Sequence, residues 1–170
     1  MAKSSKKKKK KKEDTQPLSG GFQLIAQNKK ARFDYHLEKK IEVGMILMGS
    51  EVKSCRQGNV QLSESYASIE RKKLYLYNAH IAEYKQGGPF YNHPTLRKRE
   101  LLLHKRELLQ LREQSEKKGF TLVPTKIYFK RGLVKLEIAL ARGKTKGDKR
   151  QSLKAKEAKR ELESSLKRNR

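Results

Sequence analysis

Cysteine is nearly absent from this 170-residue chain, tryptophan is wholly absent, and proline occurs only four times. The lone Cys55 has no partner for an internal disulfide, which fits a reducing, cytoplasmic compartment. It reads as a small buried hydrophobe rather than a nucleophile. No segment approaches the run of about 18 apolar residues that a membrane-crossing helix needs. The basic start leads into Glu13 and Asp14 instead of the apolar stretch of a signal peptide. Apolar residues are sparse at 35% and aromatics at 7%, and they gather between Ile25 and Ala141. Only that window has material for a core, so one domain with basic tails is expected.

Motifs of chemistry are missing too. His36, His80, His93 and His104 do not combine with one another or with Cys55 at the spacing of a structural zinc site. Gly143-Lys144-Thr145 follows a strand-like run, but a phosphate loop needs a glycine where Ile138 stands. No Gly-x-Ser-x-Gly elbow is present. These absences argue against an enzyme, a resident metal or a cofactor.

What the chain has is positive charge. Lysine and arginine number 43 against 18 acidic residues, a net charge of +25. Residues 1–32 carry 11 basic and 2 acidic side chains, and residues 142–170 carry 12 and 4, so most of the excess lies in the two ends. Such self-repulsion opposes folding unless a polyanion neutralises it, and phosphates releasing counterions do so. Nucleic acid is the expected partner. The lysine run Lys6–Lys12, followed by Gly and Ser, predicts an arm disordered when free, either a solubilising tail or a phosphate-seeking one.

Between the ends, periodicity predicts strands. Leu37, Ile41, Val43, Met45 and Leu47 share one parity within Tyr35–Leu47, opposite Glu38, Lys40 and Glu42. Glu51–Arg56 reads as a short helix ending at Gly58, and Tyr66–Glu70 with Leu74–Ile81 as a hairpin turning at Arg71-Lys72-Lys73. A loop starting at Gln86-Gly87-Gly88-Pro89 runs past Pro94. Thr95–Lys118 reads as a helix with a stripe of Leu101, Leu108 and Leu111 and with Gly119 just past its end. Phe120–Lys130, with Pro124 at an edge or bulge, and Leu133–Arg142 complete the strands. This predicts a mainly β protein with flanking helices, a small antiparallel barrel of the oligonucleotide-binding type. A two-layer α+β sheet would give nearly the same pattern.

Candidate contacts to nucleic acid are basic residues near aromatics. Asn28, Lys29, Lys30 and Arg32 precede the first predicted strand. Lys53 and Arg56, three apart, share a face of the short helix. Arg97, Lys98 and Arg99 follow a loop whose Tyr91 and His93 are placed to stack on unpaired bases. In the tail, Leu153, Ala155, Ala158, Leu162 and Leu166 recur at roughly helical spacing among lysines. That stripe is too thin to hold an isolated helix in water, which predicts a tail that orders only on RNA.

Five ordered blocks carry a resemblance: Asn28-Lys29-Lys30-Ala31-Arg32, Gly49-x-Glu51-Val52-Lys53-Ser54-x-Arg56, Leu101-Leu102-Leu103-His104-Lys105, Ala141-Arg142-Gly143-Lys144 and Asp148-Lys149-Arg150. Over residues 24–150 the chain resembles the SsrA-binding protein family, also known as small protein B. The resemblance implies an oligonucleotide-binding-type barrel that is not an enzyme. It implies binding to the tRNA-like domain of transfer-messenger RNA, and its delivery with elongation factor Tu to stalled 70S ribosomes. It further implies a basic tail in the empty mRNA channel, sensed at the 16S rRNA decoding centre.

By motif, Asn28, Lys29, Glu42, Lys53 and Arg56 fall on the RNA-facing body. Lys144, Asp148, Lys149 and Arg150 fall on the ribosome-facing tail, with helix capping as the other reading of Asp148. The expected layout is an arm over 1–23, a body over 24–142 and a tail over 143–170 that is helical on the ribosome, in a monomer. A structural ribosomal protein is the alternative that composition alone leaves open. Two positions depart from the family pattern. Gly147 stands where many members have an aromatic or histidine able to stack, a contact worth about 1–3 kcal/mol, and Arg99-Glu100 replaces Arg-Lys before the leucines.

Overall fold

Strand pairing in this protein returns on itself. The computed structural model describes residues 21–168 apart from residue 117, so the Lys6–Lys12 run lies outside the described residues. Nine strands are described: β1 (Phe22–Gln27), β2 (Tyr35–Met45), β3 (Val60–Gln61), β4 (Tyr66–Glu70), β5 (Lys73–Tyr77), β6 (His80–Ile81), β7 (Arg99–Leu102), β8 (Phe120–Lys130) and β9 (Leu133–Gly143). Between and after them lie helices α1 (Lys29–Asp34), α2 (Gly49–Arg56), α3 (Lys105–Ser115) and α4 (Lys146–Arg168), with a 3-10 turn at Pro89–Tyr91. The main sheet runs β1-β8-β4-β5-β7-β2-β9, and β9 pairs again with β8. Six strands thus form a circuit with β1 added outside on β8, while β3 and β6 pair separately.

Alternation decides which side chains face inward. Ile41 and Val43 of β2, Leu74 and Leu76 of β5, and Leu136 and Ile138 of β9 are buried in one cluster, joined by Leu111 of α3 and Cys55 of α2. Burial also pushes the Cys55 thiol up to about 12, which makes it inert, as the sequence suggested. The β4–β5 hairpin turns at Arg71 and Lys72, with φ of 45° and 64°, the left-handed geometry that matches strand twist in two-residue loops.

One sequence expectation is corrected. The helix expected over Thr95–Lys118 is two elements. Arg99–Leu102 forms β7, with Leu101 buried between Leu74 of β5 and Met45 of β2 and Leu102 outside, and only Lys105–Ser115 is helical. A leucine triplet fits either period, and strand partners on both sides decide it. Pro124 sits at a bulge, as the sequence allowed: the register slips opposite β9 between Pro124 and Lys126, which accommodates the missing N–H, while β8 pairs with β1 and β9 on its two sides. The tail carries α4 from Lys146. A reciprocal cap explains its start: the Thr145 backbone N–H and hydroxyl both donate to Asp148, and the Asp148 N–H donates to the Thr145 hydroxyl at 3.3 Å.

Candidate nucleic-acid interface

Helix α2 presents its cations because a buried carboxylate holds it down. Glu51 is fully buried in the first turn. It accepts from the Met48 backbone N–H at 2.7 Å, from Arg97 Nε at 2.9 Å and Nη2, and from Arg99 Nε at 2.8 Å. Burial alone would raise its pKa; the bonds from Arg97, Met48 and Arg99 outweigh that and hold it below the usual carboxylate range. Ser54 Oγ donates to the Ala82 carbonyl at 2.6 Å, fixing the same face. Lys53 and Arg56 are left exposed, with Lys53 Nζ 5.2 Å from the Tyr84 ring centroid.

Arg99 is therefore not an RNA-facing residue. Its side chain is fully buried, and beyond Glu51 it donates to the carbonyls of Ala79, Thr95 and Arg97 at 2.6 to 2.9 Å. Three consecutive basic residues read as surface, whereas strand alternation turns the third inward. Arg97, 21% exposed, is committed to Glu51 and the Ile46 carbonyl. Lys98 lies outside on the sheet, 3.9 Å from the Tyr75 ring centroid and paired with Glu70.

Asn28 is also buried, and its work is positional. Its Oδ1 caps α1 through the Ala31 N–H at 3.0 Å, and its Nδ2 donates to the carbonyls of Leu62 and Pro124. Lys29, Lys30 and Arg32 project from the helix it starts, Lys30 paired with Glu64. Leu62 adjoins β3, β3 pairs with β6, and Ala82 just beyond β6 receives Ser54 of α2. The two cationic helices are thus linked through one small two-stranded sheet.

Glu42 stands on the outer face of β2, where its carboxylate accepts from Lys130 Nζ at 2.9 and 3.1 Å and from the Tyr128 hydroxyl at 2.6 Å. Those bonds, Lys130 first, lower its pKa, so an ionised carboxylate faces outward inside a neutralising frame. The Tyr128 hydroxyl is raised, by burial and by donating to Glu42.

The loop over residues 84–93 divides the residues expected to stack. His93 is buried, bridging Ser50 Oγ at 2.9 Å and the Ile81 carbonyl at 3.1 Å, so it cannot meet a base. Tyr91 is 84% exposed, and the adjacent Phe90, which the sequence reading passed over, is 93% exposed. Asn92 ties this loop, accepting from the Tyr84 N–H and donating to the carbonyls of Tyr84 and Gly88. An exposed aromatic pair beside a Gly-Gly-Pro turn was the available signal.

In the tail, Asp148 is the capping partner of Thr145, and its carboxylate lies 3.4 Å from His36 Nε2. Lys149 reaches Asp34 at 2.7 Å, and Lys144 donates to the Arg32 carbonyl and to Ser152. Arg150 is exposed. Among the described residues, no group of three or more His, Cys, Asp or Glu is placed to hold a metal ion, and no helix is long and apolar enough to cross a membrane.

Comparison with known proteins shows the family. The SmpB protein family matches residues 25–168. The SsrA-binding protein of Geobacillus thermodenitrificans is 49% identical over 144 residues, covering 85% of this chain and 92% of that protein. The SsrA-binding protein of Listeria monocytogenes is 49% identical over 148 residues, covering 87% and 96%. A chain from the solved assembly described as "tmRNA-SmpB: a journey to the center of the bacterial ribosome" superposes with a TM-score of 0.61 at 48% identity, over 71% of this chain and 85% of that one. The chain belongs to the SmpB family of SsrA-binding proteins.

Proposed function

We propose that this chain is the RNA-binding adaptor of trans-translation. It binds the tRNA-like domain of transfer-messenger RNA and brings that RNA to stalled 70S ribosomes for rescue and peptide tagging. The observation that carries this reading is near 50% identity to SsrA-binding proteins over 85% of the chain, together with likeness to a chain of a tmRNA–SmpB assembly on the ribosome. The closed circuit of strands is read as a barrel of the oligonucleotide-binding type. Residues 24–142 act as the body, residues 143–170 as the tail, and residues 1–23 as a basic arm.

In this reading Lys29, Lys30 and Arg32 of α1, Lys53 and Arg56 of α2, and Glu42 of β2 face the RNA. The cations neutralise phosphates, and Glu42 accepts from base amino groups or a ribose hydroxyl. Phe90 and Tyr91 add a stacking surface. Lys144, Lys149 and Arg150 work in the mRNA channel at the decoding centre, with Asp148 capping the helix that carries them. The protein acts as a cytoplasmic monomer without catalysis of its own, and elongation factor Tu joins the delivered complex.

Removal of residues 145–170 tests the division of labour. RNA affinity should stay within threefold of the full chain while tagging on stalled ribosomes disappears. Normal tagging by the shortened protein would overturn it.

A further inference from the structure

The circuit of strands is thinnest where β4 meets β8. Those two strands pair only at Ala67 and Leu122, whereas β4 is paired with β5 along its whole length and β8 with β9 from Phe120 to Lys130. In the register that this single pair sets, Ile69 would stand opposite Phe120, but the strands have parted there. A cleft of about 600 Å³ opens instead, walled by Ile69 and Phe120, which the core covers only in part. Its lining also holds Arg71 and Lys72 of the β4–β5 turn and Arg112 of α3. An apolar slot and three cations thus share one opening.

Two of these cations are placed at a conformational cost. Arg71 and Lys72 fill both central positions of their turn at positive φ, where asparagine and glycine fit with least strain. The acidic neighbours on the outer face are taken by other residues, Glu70 by Lys98 and Glu100 by Lys73. Arg71 and Lys72 are left exposed, without an ion-pair partner among the described residues. Arg112 has Glu116 at 2.8 Å, an exposed pair one helical turn apart, and such pairs are weak enough for a phosphate to replace.

We propose that this cleft is a further RNA-binding site that takes one unpaired nucleotide, its phosphate on Arg71, Lys72 and Arg112 and its base against Ile69 and Phe120. The volume lies within the range of about 300–1,000 Å³ in which pockets enclose small molecules. Charge selects an anion, and the apolar walls select one with a flat, poorly hydrated body. Continuity selects RNA: a second cleft of about 420 Å³ beside α1, lined also by Lys30, shares Tyr66 and Thr121 with this one, so the two make one path along the β4–β8 seam. This last step rests on the reading of α1 as RNA-facing. Cations on phosphate carry no sequence information, and apolar walls accept any base, so the site holds unpaired RNA without reading its sequence. Stacked duplex bases cannot enter.

The test uses the full-length, isotope-labelled protein and follows its amide signals during titration with hexa-adenylate. Ile69 and Phe120 should shift. Arg71→Asn/Lys72→Gly supplies the residues that the turn geometry favours, so it should melt no lower than the parent, yet its apparent affinity read at Ile69 and Phe120 should fall at least fivefold. Arg112→Gln, on a separate element, should lower it at least threefold. Adenosine monophosphate should act at least tenfold more weakly than hexa-adenylate, and a blunt RNA duplex should leave Phe120 unmoved. Unshifted Ile69 and Phe120, or variants that bind as the parent does, would overturn the proposal. So would a mononucleotide that matches the hexanucleotide, which marks a site for free nucleotides, or hexa-glutamate that shifts both residues equally well, which marks a site for acidic protein. Shifts confined to α1 would leave the adaptor reading standing and refute this one. A chain that binds no tRNA-like RNA would refute the adaptor reading, with Phe120 still deciding the seam.

Discussion

Replacing Glu51 by glutamine tests the anchor beneath α2. Glutamine keeps the shape of the side chain but removes the charge facing Arg99, and it turns an N–H group toward guanidinium donors. Arg99 is fully buried, so its charge would be left with carbonyl acceptors alone. Breaking a buried pair by removing one partner costs about 3–5 kcal/mol, and the Arg97 contact, partly open to water, adds little beyond that. At about 2–4 °C per kcal/mol for a chain of this length, E51Q should melt about 6–20 °C lower.

Denaturant unfolding of the RNA-free protein at neutral pH, parent against variant, measures the difference directly. The pH dependence supplies the sign. The folded protein holds Glu51 below its ordinary value, so its stabilisation is complete above the unfolded carboxylate pKa and is lost as pH falls through the lower folded value. The gap between parent and E51Q should therefore close in acid. A loss below about 1 kcal/mol at neutral pH, or a gap that persists unchanged in acid, would refute the view that this carboxylate compensates a buried charge.

Other perturbations separate contact from support. Charge reversal at Lys53 and Arg56 should leave folding intact and weaken RNA binding, making the plot of log K against log salt shallower by about 1.4–1.8; an unchanged slope places those cations elsewhere. Asn28→Ala should cost about 2–3 kcal/mol in a denaturant melt, from the lost cap and two carbonyls left without its donors, and a loss under 0.5 kcal/mol would contradict its buried role. At Gly147 an added Cβ would meet only Thr145 Oγ1, at 3.7 Å. Gly147→Ala should thus stabilise the tail helix by up to about 1 kcal/mol, seen as greater circular dichroism at 222 nm, and a decrease would mean that the first turn is not helical in solution.

Strands with a regular apolar alternation were legible in the sequence. The alternation in β2 and β9 located both within a few residues, because the apolar parity of each strand faces the core, although in β9 Ala139 and Ala141 of the other parity are buried as well. The end of α2 and the β4–β5 turn were readable from local chemistry. β7 was not, since three adjacent leucines suit a helix until β2 and β5 supply partners from far along the chain. Long-range partners also explain the misread site residues. Arg99 finds Glu51 48 residues away and Asn28 finds Pro124 96 residues away, so both look like surface groups in the sequence and are buried supports in the fold. Lys53 and Arg56 lie on a helix whose buried side is specified nearby, and their exposure was readable for that reason.

The central claim is that this fold grips one RNA shape rather than polyanions in general, although its charge alone would bind any of them. Affinity for the isolated tRNA-like domain of transfer-messenger RNA, measured beside an unstructured RNA of equal length at physiological salt, tests it most directly. At least a tenfold preference for the tRNA-like domain, retained as salt is raised, is the predicted result. Equal affinities that fall together with salt would contradict it.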